Sequence, residues 1–140
     1  MRAADLILHA GDLSTAEVLE DLRGLGPPVA AVHGNIDSAD VRRMLPERQV
    51  VDAAGLRIGL VHDAGPAHGR LRRMRMAFPE CDAVVFGHSH IPLHEEVNGF
   101  QIFNPGSPTD RRRQSRHSMG LARVTNGGDR RVSFEHVWLD

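Results

Sequence analysis

Lysine is absent from this 140-residue sequence, and all seventeen of its basic residues are arginine. That skew has no physical explanation in the sequence beyond genome composition. Cysteine occurs once, at Cys81. A single thiol excludes an intrachain disulfide and makes a reducing, cytoplasmic setting the simplest expectation. Cys81 itself reads as a small buried hydrophobe. Long apolar runs are missing too: none approaches the ~18 residues of a membrane helix. No charged-then-apolar leader follows Met1. An excess of either charge is also lacking, and the net charge of -1 predicts no general attraction to nucleic acid or to a membrane surface. Repeats, linkers and low-complexity tracts are absent. A charged fraction of 25% and a hydrophobic fraction of 41% are ordinary for a globular chain. The expectation is one soluble cytoplasmic domain over residues 1–140, with no membrane partner.

The stretch around which the rest is organised is Ala83 to His90. Val84, Val85 and Phe86, bounded by Asp82 and Gly87, read as a short strand buried on both faces. His88 and His90 then lie just beyond its carboxyl end, where open α/β sheets bind ligands. The same pattern recurs along the chain. Leu6 to Leu8 read as a strand followed by His9-Ala10-Gly11-Asp12, and Ser14-x-x-Glu17 as a capping box opening a helix with Val18, Leu19 and Leu22. Val29 to Val32 form a further apolar run, ending in His33-Gly34-Asn35-Ile36-Asp37. Ser38 can cap a short helix carrying Val41, Met44 and Leu45. Gln49 to Val51 and Leu56 to Val61 read as two strands, the second ending in His62-Asp63. Arg70 to Phe78 reads as a helix stopped by Pro79, its arginines a solvated face. Two hairpins close the chain. One joins Glu95–Val97 to Phe100–Phe103 through Asn98-Gly99 in a type I′ turn, and the other joins Leu121–Val124 to Val132–Trp138.

Asp12, Asn35 with Asp37, His62, and His88 with His90 thus follow four separate strands. A carboxylate, a carboxamide oxygen and imidazoles form a hard-to-borderline donor set suited to Mn²⁺, Fe²⁺ or Zn²⁺ rather than to Ca²⁺ alone. Taken singly, each has a bland alternative. Asp12 could cap the next helix, Asn35 could take a left-handed turn, His62 could satisfy a core hydrogen bond, and His88 and His90 could be solvated loop residues. Their joint occurrence is what points to a metal. Arg111, Arg112, Arg113 and Arg116 form the densest basic cluster, by default a solvated loop and otherwise an anion-contacting lid.

Gly11-Asp12, Gly34-Asn35-Ile36-Asp37, His62, Gly87-His88-Ser89-His90 and Asn104-Pro105-Gly106-Ser107, in that order, resemble the calcineurin-like metallophosphoesterase superfamily. The nearest type is its small single-domain phosphodiesterases of bacteria and archaea. The resemblance runs from about Asp5 to about Val124. It implies an α/β fold, a two-sheet sandwich flanked by helices in four αββα layers. It also implies two divalent metals, manganese first, with iron, zinc or nickel as alternatives. On that resemblance Asp12 bridges both metals, Asn35, His62 and His88 complete one shell, and His90 belongs to the other, so Asp12, Asn35 and His88 are the catalytic positions. Asp37 stands behind the ligands. The implied reaction is hydrolysis of a small phosphodiester by a metal-bridging hydroxide, with nucleic acid only as a possible substrate.

Other members carry His where Ile36 stands, to protonate the leaving group. His33, His68 and His117 are the candidate substitutes, and Arg113 a candidate substrate contact. The family's opening strand, which ends in Asp-x-His and holds the metal that His90 would share, has no counterpart. The chain is therefore expected to be incomplete at its N-terminus, beginning roughly 25 to 30 residues late. The competing expectation is a catalytically impaired scaffold acting through protein contacts, like the retromer subunit that resembles this superfamily in fold.

Overall fold

The computed structural model describes residues 5–12, 16–34, 37–107, 117–125 and 131–139. Its centre is a five-stranded mixed sheet. The strands are β3 (Arg48–Ala53), β4 (Leu56–Val61), β5 (Ala83–Val85), β6 (Leu93–Val97) and β7 (Phe100–Asn104), in spatial order β3-β4-β5-β7-β6. The inner strands β4, β5 and β7 run parallel, and β3 and β6 close the edges antiparallel. The inner strands are nearly continuous in buried residues, as parallel strands covered on both faces must be. The edge strand β6 carries Glu95 and Glu96 exposed, which discourages further pairing.

Alternation along the inner strands sorts their side chains onto two faces. Val61, Val84, Phe86, Phe100 and Ile102 meet Met74 of helix α3 (Arg70–Ala77) and Phe78 at its C-cap. Leu56, Ile58, Leu60, Ala83 and Val85 face the other way, onto two separate strand pairs. One pair is parallel, β1 (Ile7–His9) with β2 (Val29–Ala31), and the other antiparallel, β8 (Ser118–Thr125) with β9 (Arg131–Trp138). Helices α1 (Ala16–Arg23) and α2 (Ala39–Met44) cover β2 through Leu19, Val41 and the α2 C-cap Leu45. At eight and six residues they are too short to persist alone. A side chain buried as fully as that of Leu19 contributes about 2 kcal/mol toward holding such a helix in place. The result is helices, strand pairs, five-stranded sheet, helix: four αββα layers.

Local signals account for several boundaries. Ser38 caps α2, its Oγ accepting from Val41 N at 3.3 Å. Asn98 (φ 52°) and Gly99 (φ 82°) make the turn between β6 and β7, the left-handed pair that a type I′ hairpin requires. The Ser14 capping position lies outside the described residues. Strands β3, β6 and β8 run longer than their apolar runs, because ladder pairing continues through polar neighbours such as Arg48, Asp52 and His94. Two expectations about side chains change. Cys81 is half-buried at the edge of the α3 core rather than enclosed, and burial together with nearby Asp82 raises its thiol pKa. The arginines of α3 are not simply a solvated face. Arg70 lies over the Phe86 ring and Arg75 over that of Phe100, while Arg70 and Arg73 also bind the preceding loop.

Candidate metal centre

Strands β1, β2, β4 and β5 deliver their following residues to one end of the sandwich. After β1 the chain turns sharply, with Gly11 at φ 103° and Asp12 at φ 61°. Asp37 secures that turn. Its Oδ2 accepts the backbone N–H of Asp12 at 3.0 Å and also that of Gly34, tying the loop after β1 to the loop after β2. Gly34 has to be glycine for this closure, since a Cβ there would overlap the Asp12 carboxylate and lie 2.6 Å from its backbone nitrogen.

His62 follows β4 and is buried. Its Nδ1 lies 2.7 Å from the carbonyl oxygen of Ala10. A carbonyl only accepts, so Nδ1 carries a proton, and in its neutral, metal-binding form the ring presents its lone pair at Nε2. That lone pair faces Asp12 Oδ2 at 3.3 Å, with the two side chains 7% and 8% exposed. It also lies 3.3 Å from His88 Nδ1, the two rings meeting edge to face at 86°. An imidazole lone pair set against a carboxylate oxygen is an arrangement that a shared cation satisfies. A backbone carbonyl holding the far nitrogen is the usual support of a metal-binding histidine. Separations of 3.3 Å are close to the edge of a tetrahedral shell with bonds of about 2.0–2.1 Å. Among the described residues, however, no three or more His, Cys, Asp or Glu close into a complete cage. The three donors form an open row centred on Nε2 of His62.

His88 and His90 are both left-handed, at φ 68° and 60°. Asn35, Ile36 and Arg113 lie outside the described residues, as do Arg111, Arg112 and Arg116. His33 is placed just after β2, its backbone N–H on Pro46 O at 3.0 Å. His68 is exposed in the loop before α3. His117 is half-buried before β8, its carbonyl accepting from Leu139 N.

One residue of this neighbourhood escapes a reading by strand ends. His9 closes β1, and its Nδ1 accepts from Gly11 N at 3.1 Å. Burial lowers its pKa, partly offset by the charges of Asp37 and Asp12. The signal available in sequence was a histidine where an apolar strand residue would normally stand. Two open hollows, of about 310 and 390 Å³, have no residue of this centre in their walls.

Comparison with known proteins decides the lineage. Residues 1–127 match the family model of the calcineurin-like phosphoesterase superfamily domain. The chain belongs to that superfamily. A probable metallophosphoesterase of Methanocaldococcus jannaschii is 33% identical over 108 residues, covering 75% of this phosphoesterase-family chain and 54% of the relative. The chain thus spans about half the length of that relative. A protein of the same organism named as a phosphodiesterase is 23% identical over 113 residues, 73% of this chain and 66% of that one. Among solved structures, Vps29 of Entamoeba histolytica complexed with Zn²⁺ superposes with a TM-score of 0.75 at 25% identity, covering 96% of this chain and 82% of that one. No described helix of this family member is long and apolar enough to cross a membrane.

Proposed function

We propose that this metallophosphoesterase domain hydrolyses small phosphodiesters in the cytoplasm. Asp12, Asn35, His62 and His88 hold one divalent metal, manganese by preference, and His90 with Asp12 serves a second. The observation that carries the proposal is the His62 lone pair, held by Ala10 O and set between Asp12 Oδ2 and His88 Nδ1. When bound, the metals supply Lewis acidity toward the phosphoryl oxygens and a nucleophilic water at neutral pH. The chain's own contribution is positional. Ala10 fixes the tautomer of His62, and Asp37 holds the turn that aims Asp12. Ile36 has no proton to give a departing alkoxide, so diesters with good leaving groups are the favoured substrates.

The test is metal content and turnover on one preparation of the full chain, loaded with Mn²⁺ and desalted, with bis(4-nitrophenyl) phosphate as substrate. Asp12→Ala and His62→Ala should each lower turnover by about a hundredfold or more. Turnover that survives both substitutions would sink the assignment. A second reading, a scaffold acting through protein contacts, draws on the likeness to Vps29. It predicts a well-folded chain that retains no metal after desalting.

A further inference from the structure

The two strained histidines flank Ser89, and a single buried side chain grips the segment they share. Asn104 ends β7 and is 0% exposed. Its Nδ2 donates to Gly87 O at 3.1 Å and to Ser89 Oγ at 3.2 Å, one contact on each side of His88. Its Oδ1 accepts from Gly106 N at 2.9 Å. The orientation of the carboxamide is unambiguous, because Gly87 offers only an acceptor and Gly106 only a donor. The Asn104 backbone is held in turn. His136 Nε2 lies 2.7 Å from its carbonyl, and the His136 ring stacks on Phe103 at 4.5 Å. Ser89 Oγ passes the hold onward by accepting from Ile91 N at 3.2 Å. The grip therefore spans both left-handed residues, His88 and His90.

We infer that Asn104 is a positioning residue for the metal centre. Its carboxamide keeps the 87–91 turn in the strained form that sets His88 against His62. The turn's own backbone bond, Ser89 N–H to Gly87 O at 2.8 Å, holds the left-handed histidines only in part, and the β7–β9 core adds to that hold through Asn104. This rests on reading Asp12, His62 and His88 as metal ligands, and Asn104 touches neither metal nor substrate in it. The carboxamide cannot be replaced by a carboxylate. Asp at this position would keep the acceptor for Gly106 and set an oxygen against Gly87 O.

Gln101 supplies a matched control. It is a buried carboxamide three residues earlier on the same strand, and its Nε2 donates to Val132 O at 2.7 Å, away from the centre. Two quantities are measured on the full chain with Asn104→Ala, Asn104→Asp, Ser89→Ala and Gln101→Met. The first is Mn²⁺ affinity from titration of free Mn²⁺. The second is hydrogen exchange of the 87–91 amides in chelator.

The Asn104 variants should bind Mn²⁺ about ten- to a hundredfold more weakly and exchange faster at 87–91. Gln101→Met should lose stability with its Mn²⁺ affinity within about twofold of the unsubstituted chain. Ser89→Ala, which removes the Ser89 Oγ contacts with Asn104 and with Ile91 N but leaves the Asn104 bond to Gly87 O, should show the same change on a smaller scale. Unaltered affinity and exchange in the Asn104 and Ser89 variants would overturn the inference. So would an equal loss of affinity in Gln101→Met, which would mark general destabilisation. If the unsubstituted chain binds no Mn²⁺, the reading of the centre fails. The exchange measurement then decides by itself whether Asn104 holds the turn.

Discussion

Ala54 and Asn98 are left-handed because each opens a two-residue hairpin turn, whereas Asp12, His88 and His90 are left-handed where strands end. A non-glycine residue in that region costs on the order of 1 kcal/mol or more and persists only when its surroundings over-determine it. Asp37 does so for Asp12 and Asn104 for His88, each with a buried polar side chain that binds backbone. His9 belongs to the same neighbourhood and gives it a pH signature. Burial holds its pKa below the ordinary histidine value, so the unfolded chain takes up a proton before the folded one does as pH falls. Its contribution to stability is therefore full above about pH 6.5 and is lost as pH drops toward the lowered folded value. His9→Asn preserves an acceptor for Gly11 N and has no ring to titrate. Urea unfolding in chelator at pH 7.5 and pH 5.5 should show a smaller loss on acidification for His9→Asn than for the unsubstituted chain. Equal losses would place the acid sensitivity elsewhere.

The loop leading from His62 into α3 is organised by the helix it precedes. Gly69 offers α3 no side-chain cap, and Pro66 has no N–H of its own. The carbonyls of the loop turn instead toward Arg73, which donates to Pro66 O from both Nη1 and Nη2 (3.1 and 3.0 Å), to His68 O at 3.1 Å and to Ala64 O at 3.4 Å. Arg70 adds a forked pair on Gly65 O. The arginine-rich sequence reads as a charged face because spacing reports which side of a helix a residue takes. It does not report that a neighbouring loop will present unpaired carbonyls to it. Arg73→Ala should cost about 1 kcal/mol in urea unfolding and speed amide exchange across residues 64–68. Arg73→Lys should recover little of this, since an ammonium cannot reproduce the planar fork. Full recovery by lysine would mean that charge, not geometry, holds the loop.

At the scale of the whole molecule, the strands were legible wherever an apolar run stopped at glycine or a polar residue, as at Val85 or Val61. The division into layers was not legible from local pattern. Nothing in the run Val29–Ala31 says that it pairs with β1 while the similar run Ala83–Val85 joins the five-stranded sheet. That choice is made by long-range packing, and only the family resemblance anticipates it. The centre shows the same limit. Asp12, His62 and His88 announce themselves by type and place, but the hold of Asn104 on Gly87, seventeen residues away, and that of His136 on Asn104, thirty-two away, have no periodic signal.

The same long-range packing decides how the molecule should unfold. A two-stranded hairpin is marginal alone, so β8 and β9 depend on what they cover. Phe103 is the principal anchor, stacking on Phe134 at 4.6 Å and on His136 at 4.5 Å. Further ties include hydrogen bonds from Gln101 Nε2 to Val132 O, from Ser118 Oγ to Pro105 O and from Ser118 N to Ser107 O, that of His136, and the packing of Val124, Val132 and Phe134 on the sheet. Phe103→Ala should cost about 3–5 kcal/mol and loosen β8 and β9 first. Trp138, the only tryptophan, ends β9 and reports that pair by fluorescence, while far-ultraviolet circular dichroism reports every layer. In the unsubstituted chain the two urea transitions should coincide. In Phe103→Ala the fluorescence transition should fall at lower urea than the dichroism transition. Coincident transitions in the variant would show that the hydrogen bonds and the packing of Val124, Val132 and Phe134 suffice to keep the strand pair in one cooperative unit with the sheet.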